Sequence, residues 1–312
     1  MKKALKQAAA LAAAILLCTV QADAAEYTGG VSAQSAILID ATSGRVLYEK
    51  NADERSLIAS TTKIMSGLLV CESGNLDREV NVPKEAVGVE GSSLYLKAGE
   101  RITVRELLYG MMLRSGNDAA VALAIVTDGS VDAFVWRMTE KAAALGLTGT
   151  HFENPNGLDG ETHYSTARDL ARLAAAAMEN ETFCKVVSSR SFASGTRSFT
   201  NHNKLLWRVE GADGVKTGYT KKAGRILVGS ASRGGQRLIC VTIRDPDDWR
   251  DQSMLFDYGF SAYCMQTIVE ENAAVGSVPV VGSKTERISL LAGKTVSYPL
   301  AAGEKLETVL HA

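Results

Sequence analysis

Histidine is scarce in this chain, with four in 312 residues, and none stands in a His-x-x-x-His or His-x-x-Glu arrangement. That leaves a zinc peptidase without the helical ligand pair it would use to hold its metal. No glycine-rich phosphate loop stands out either, so no cofactor is expected. Surplus charge is lacking as well. The formal net charge is −1 and basic clusters such as Lys221-Lys222 are short, so nucleic acid or an anionic lipid surface would find no long-range attraction.

Long apolar runs are missing too. The run from Ala8 to Leu17 is shorter than the ~20 residues a bilayer span needs. It follows Lys2, Lys3 and Lys6 and precedes Ala22-Asp23-Ala24, the layout of a secretory signal peptide. Residues 1–25 are therefore read as an export signal, cleaved after Ala24 or Ala25. Leu17 is larger than the small residue that precedes the cysteine of a lipoprotein signal, so Cys18 is expected to leave with the peptide. Cysteine is then sparse: Cys71, Cys184, Cys240 and Cys264 remain. Export permits disulfides, and four cysteines allow three pairings. Cys71 follows a helix-like apolar run and Cys240 sits in Leu238-Ile239-Cys240-Val241, which favours buried free thiols. No catalytic cysteine is expected.

What the chain does have is an ordinary globular balance, 46% hydrophobic and 22% charged, enough for one large domain and a small one. Ala36–Asp40 and Arg45–Tyr48 across Ala41-Thr42-Ser43-Gly44 predict a β-hairpin. A helix-rich middle follows. Thr103-x-x-Glu106 caps an apolar helix, another begins beyond Asn117, Ser130 caps a third ending near Gly146, and Thr166-x-x-Asp169 caps a fourth. A second hairpin joins Arg225–Ala231 to Leu238–Ile243 across Arg233-Gly234-Gly235-Gln236, and a helix through Met254, Leu255 and Tyr258 closes the domain. Strands at both ends with helices between them predict an α+β fold: one antiparallel sheet packed by a helical cluster. From about Met265 the chain turns to short apolar runs broken by Gly and Pro.

Ser60 is the only serine with a lysine three residues on, and the apolar run that follows predicts a buried helix. Residues three apart are neighbours on a helix, so the Lys63 amine can reach the Ser60 hydroxyl. A serine needs an unprotonated base, and Lys63 becomes one only if its pKa falls. Burial and a second cation, Lys216, are expected to supply most of that fall, with the helix dipole contributing ~0.3–1 kcal/mol. Two further segments follow in order: Ser115-Gly116-Asn117, at a break between helices, and Lys216-Thr217-Gly218, on a strand edge flanked by glycines. An edge strand offers free N–H and C=O groups to an extended peptide. Lys216 and Thr217 suit a carboxylate, and Gly218 is expected to let the substrate backbone approach without a Cβ in the way.

Ordered Ser-x-x-Lys, Ser-x-Asn and Lys-Thr-Gly segments are shared by β-lactamases and penicillin-binding proteins. With Gly91-Ser92-Ser93, Asn154-Pro155-Asn156-Gly157-Leu158 and Tyr164-Ser165-Thr166-Ala167-Arg168-Asp169, the chain resembles the serine-type D-Ala-D-Ala carboxypeptidases. These are the low-molecular-mass penicillin-binding proteins of peptidase family S11. The likeness spans roughly Ala36 to Tyr263. It implies a β-lactamase/DD-peptidase-like fold, with a catalytic domain over residues 26–264 and the start of a small β-rich domain over 265–312. Fewer than fifty residues is short for that domain. The amphipathic helix by which many relatives hold the membrane is not visible, so no anchor can be assigned.

The resemblance implies a reaction. Ser60 attacks the penultimate D-alanine carbonyl of a peptidoglycan stem peptide ending in D-Ala-D-Ala, and water later resolves the ester; β-lactam antibiotics act as covalent inhibitors. Ser115 would relay a proton to the leaving amine, Asn117 would orient Lys63 and the substrate backbone, and the N–H groups of Ser60 and Tyr219 would form the oxyanion hole. Arg250 looks like an arginine near the substrate carboxylate in relatives, with Arg244 competing. The enzyme would work outside the cytoplasmic membrane, at the cell wall or in the periplasm. Met138-Thr139 departs from a common Met-Asn. Glu153 does not reproduce the Glu-x-x-x-Asn loop of β-lactamases, so rapid antibiotic hydrolysis is not expected and Glu153 is read as structural. A β-lactamase of similar fold and a non-catalytic penicillin-binding sensor or scaffold are the alternatives.

Overall fold

The computed structural model describes residues 15–21, 27–195, 197–279 and 287–311. These divide into two units, one spanning Tyr27–Ser261 and the other made of the described residues on either side of it.

The larger unit is built on a five-stranded antiparallel sheet of β1 (Ser35–Asp40), β2 (Val46–Lys50), β3 (Ala212–Thr220), β4 (Gly224–Arg233) and β5 (Gln236–Ile243), in the spatial order β2-β1-β5-β4-β3. Strands about 200 residues apart in sequence thus pair at the centre, Ile243 opposite Ser35 and Leu238 opposite Asp40. The β4–β5 hairpin turns on Gly234 and Gly235, with φ of +56° and +83°; two consecutive left-handed residues match the right-handed strand twist.

The central strands read as continuous apolar runs because both sheet faces are covered, a pattern more usual in parallel sheets. On one face Ile37, Ile39, Val228, Ile239 and Val241 join the helical core. That cluster holds α1 (Lys63–Ser73), α2 (Val104–Arg114), α3 (Asn117–Asp128), α4 (Val131–Ala144), α5 (Ala167–Met178) and α6 (Glu181–Ser188). On the other face lies α7 (Asp248–Ala262), whose Gly259 sits against Leu38 and Leu238 and whose Phe256 sits against Gly229.

The caps form where the sequence places them. Thr103 accepts from Glu106 N–H while the Glu106 carboxylate accepts from Thr103 N–H, closing a capping box. Ser130 and Thr166 accept from Ala133 and Asp169 N–H. α6 and two short hairpins, Glu79–Asn81 with Arg101–Thr103 and Ser191–Ser194 with Arg197–Thr200, were not foreseen. α1 is buried from Lys63 to Cys71 without interruption, as a helix apolar on every side must be.

The second unit contains three two-stranded antiparallel ladders: Ile15–Gln21 with Lys305–His311, Tyr263–Val269 with Val296–Ala301, and Ala274–Pro279 with Arg287–Leu291. Of the segment read as an export signal, Ile15–Gln21 is a described strand and the other residues lie outside the described ones. Among the described residues no single helix is long and apolar enough to cross a membrane. Cys71 and Cys240 are buried free thiols, Cys184 is half-buried and Cys264 exposed. Burial pushes the Cys71 thiol up to about 12 and that of Cys240 well above its ordinary range, which removes the thiolate a nucleophile needs.

Candidate active site

Ser60 sits not in an α-helix but in a single 3-10 turn, Ala59–Thr62, that runs into α1 at Lys63. Thr61 and Thr62 build the turn by donating their hydroxyls back to the carbonyls of Ile58 and Ala59, at 2.6 and 2.8 Å. Residues three apart eclipse in a 3-10 turn, so Lys63 Nζ comes to 2.9 Å from Ser60 Oγ. Ala59, just before the serine, is left-handed at φ +45°; non-glycine residues in that region cluster at functional sites.

Lys63 is fully buried. Besides Ser60, its Nζ lies 2.6 Å from Asn117 Oδ1 and 2.5 Å from the Asn156 carbonyl. A neutral amine has two N–H donors and one lone pair. In its neutral form, with both protons held by Asn117 and Asn156, the amine would turn its lone pair to the Ser60 hydroxyl. Burial, then the nearby Lys216 charge, pushes the Lys63 pKa well below the ordinary lysine range, against a weaker pull from Asp118. Lys216 is buried as well, which lowers its own pKa to about 7, and its Nζ donates to the Thr217 carbonyl at 3.0 Å.

Ser115 and Asn117 flank the α2–α3 junction. Ser115 is the left-handed C-cap of α2, at φ +62°, and Gly116 fits because a Cβ there would stand 2.8 Å from Leu94. Asn117 is held in one orientation, its Nδ2 donating to the Glu90 carbonyl at 2.6 Å; the amide oxygen is thereby turned to Lys63. Asp118, also buried, accepts from Ser93 Oγ and from Leu94 and Leu96 N–H. Those bonds hold the Gly91–Leu96 loop beside the serine.

Lys216, Thr217, Gly218 and Tyr219 lie on β3, the edge strand next to the 3-10 turn. Tyr219 pairs with Arg225, and the Arg225 carbonyl accepts from Asp245 N–H on the opposite side of β4. The two are therefore a non-hydrogen-bonded pair, and Tyr219 N–H points off the free edge of the sheet. Gly218 has a different reason from the expected one: a Cβ there would stand 3.1 Å from the Ile58 carbonyl and 3.2 Å from Thr61. Its space is claimed by the 3-10 turn, not by an incoming chain.

Ser60, Ser115, Thr217, Gly218 and Tyr219 line one cavity of about 500 Å³. Its far wall carries Arg225, Asp248 and Trp249. Arg225 forks onto the buried Asp248 carboxylate, with the Trp249 ring 6.0 Å from its guanidinium. Arg250 does not line the cavity. It stands about 200° around α7 from Asp248, 61% exposed and 3.9 Å from Asp247; the guanidinium facing the cavity belongs to Arg225. Arg244 is also directed elsewhere, onto the Lys222 carbonyl. Glu153 binds Thr162 through its N–H at 2.7 Å and its hydroxyl, fastening its own loop. Sequence reasoning missed the Asn156 carbonyl, since a backbone acceptor leaves no residue signature beyond its Asn-Pro-Asn-Gly turn.

The family model described as D-alanyl-D-alanine carboxypeptidase matches residues 19–247. The chain belongs to the D-alanyl-D-alanine carboxypeptidase family. Among curated members, DacF of Bacillus subtilis is 37% identical over 292 residues, 89% of this chain and 75% of the relative. DacC of Escherichia coli is 36% identical over 96% of this chain and 80% of its own length. Among solved structures, penicillin binding protein 5 from Haemophilus influenzae superposes with a TM-score of 0.82 at 29% identity, covering 89% of this chain and 85% of that one. The Streptomyces K15 DD-transpeptidase gives 0.72 at 34%, covering 76% and 100%. The carboxypeptidase fold read from the sequence, a sheet with a helical cluster followed by small strands, is the one these neighbours share.

Proposed function

We propose that this carboxypeptidase acts through a covalent ester on Ser60. The Ser60 hydroxyl proton passes to neutral Lys63 as Oγ attacks the carbonyl carbon of the penultimate D-alanine of a stem peptide. The N–H groups of Ser60 and Tyr219 take the oxyanion; such donors are worth roughly 10²–10³ in rate elsewhere. Collapse breaks the C–N bond, and the proton returns through Ser115 to the leaving D-alanine amine. Water then attacks the ester, giving its proton to Lys63, and Ser60 is restored. Lys216 and Thr217 receive the terminal carboxylate. The observation that carries this reading is the Lys63 amine, wholly buried, with two carbonyl acceptors for its protons and its third direction on the serine.

In this reading residues 1–25 are an export signal, 26–264 the catalytic domain and 265–312 the start of a small β-rich domain, and the enzyme works outside the cytoplasmic membrane without a cofactor. Incubation with diacetyl-Lys-D-Ala-D-Ala is expected to release one D-alanine per peptide, and mass spectrometry to find benzylpenicillin on Ser60. Fast penicillin turnover with no D-alanine released would identify a β-lactamase instead, and neither reaction a scaffold. Lys216→Gln removes the charge that lowers the Lys63 pKa, so the rising limb of acylation rate against pH is expected to move to higher pH. A limb that stays in place would remove Lys216 from the account.

A further inference from the structure

His163 takes no part in the reaction above, yet it is buried at 1% exposure and tied to the catalytic turn. Its Nδ1 accepts from the Glu153 backbone N–H at 3.0 Å, and its Nε2 lies 2.7 Å from Thr62 Oγ1. Burial lowers its pKa to about 4, so the ring is neutral near pH 7. A backbone N–H can only donate, which leaves Nδ1 bare and puts the single ring proton on Nε2. Nε2–H therefore donates to Thr62 Oγ1. The Thr62 hydroxyl spends its own proton on the Ala59 carbonyl, 2.8 Å away. Every bond in this chain runs one way, from the Glu153 amide through His163 and Thr62 to Ala59.

The Ala59 carbonyl shares a peptide plane with the Ser60 N–H. In a planar trans peptide the two point in opposite directions, so drawing the oxygen toward Thr62 aims the N–H away from it. Ala59 is left-handed at φ +45°, a conformation an alanine does not hold without outside support. Gly157 packs on the same peptide, an added Cβ there falling 1.9 Å from the Ala59 oxygen and 2.9 Å from Ser60 N.

The geometry points to His163 and Thr62 as positioning residues for the oxyanion hole: a one-way hydrogen-bond relay that sets the direction of the Ser60 N–H by holding the Ala59 carbonyl. The assignment rests on the reading of Ser60 as nucleophile. Neither side chain touches substrate. A purely structural pair would show its loss in the melting temperature, whereas this relay acts on the acylation step.

The test uses the full chain, with acylation by a fluorescent penicillin resolved into its binding constant and its first-order rate. Thr62→Val keeps the shape and removes the hydroxyl. It is expected to slow the first-order step about tenfold or more, a fraction of the 10²–10³ that losing an oxyanion donor costs, with the binding constant little changed. Thr62→Ser, which restores the hydroxyl, is expected to recover most of that loss. His163→Leu is expected to slow the step similarly, and the double variant with Thr62→Val to be little slower than either alone, because both break one relay. An unchanged acylation rate in Thr62→Val, or losses that multiply in the double variant, would overturn the relay. If the wild-type chain forms no Ser60 adduct, it is the nucleophile assignment that fails, and the two failures are thereby told apart.

Discussion

Replacing Lys63 by arginine is expected to lower the rate of Ser60 acylation by benzylpenicillin by roughly 10²–10⁴-fold, the usual contribution of a positioned base. Arginine keeps a positive charge and donors but does not give up a proton in a protein. Lys63→Met is the companion, since it has similar length and no charge. If the native amine is already neutral, methionine removes no ion from the core, and the variant should still fold while losing acylation to the same degree. Its cost is two carbonyls, Asn117 Oδ1 and Asn156, left without their partner, about 1–3 kcal/mol each at most. Thermal melts taken beside the acylation rates separate the two effects. Near-normal acylation in either folded variant would remove Lys63 as the base.

Gly157→Ala is expected to be the most damaging glycine-to-alanine change among the described residues. Its Cβ would fall 1.9 Å from the Ala59 oxygen and 2.4 Å from the Ala59 carbonyl carbon, at a glycine with φ +88°. Backbone atoms cannot swing aside as a side chain can, so the turn must shift or the loop must lift. The expected cost is about 2–5 kcal/mol, and any protein that does fold should acylate slowly because the displaced peptide carries the Ser60 N–H. Gly129→Ala is the control. Gly129 has a similar φ, +82°, with nothing within 4 Å of the added carbon, so only the left-handed backbone penalty of about 1–2 kcal/mol applies. Denaturant melts of the two variants check the prediction; equal losses would mean that crowding at Ala59 contributes nothing.

Much of this site was legible in the sequence because its side chains come in short contiguous segments. Ser60 with Lys63, Ser115 with Asn117 and Lys216 with Thr217 each declare a chemistry through residue type and spacing, and the structure brings Ser60, Ser115 and Thr217 to one cavity, with Lys63 and Asn117 buried behind Ser60. Helix caps were legible for a similar reason: Thr103, Ser130 and Thr166 act on amides three residues away. What stayed hidden acts through the backbone or across long separations. The Asn156 carbonyl and the turn-facing side of Gly218 have no residue-level mark. His163 earns its place only by what lies at both of its nitrogens, 10 and 101 residues away. The Arg250 assignment failed on helical phase, which a sequence position alone does not reveal until the start of α7 is fixed. α6 and the hairpins at Glu79–Thr103 and Ser191–Thr200 are short, and their apolar residues are too few to set a period against their surroundings.

The enclosure of α1 carries one more consequence. A reactive pair on a surface loop can be lost to local fraying while the rest of a protein stays intact. Here the amine opens the most thoroughly enclosed helix of its unit, buried through Cys71, and such segments open only at a free energy near that of the whole domain. Warming should therefore leave no long-lived population that is compact yet inert: catalytic competence and the native core are surrendered in a single step.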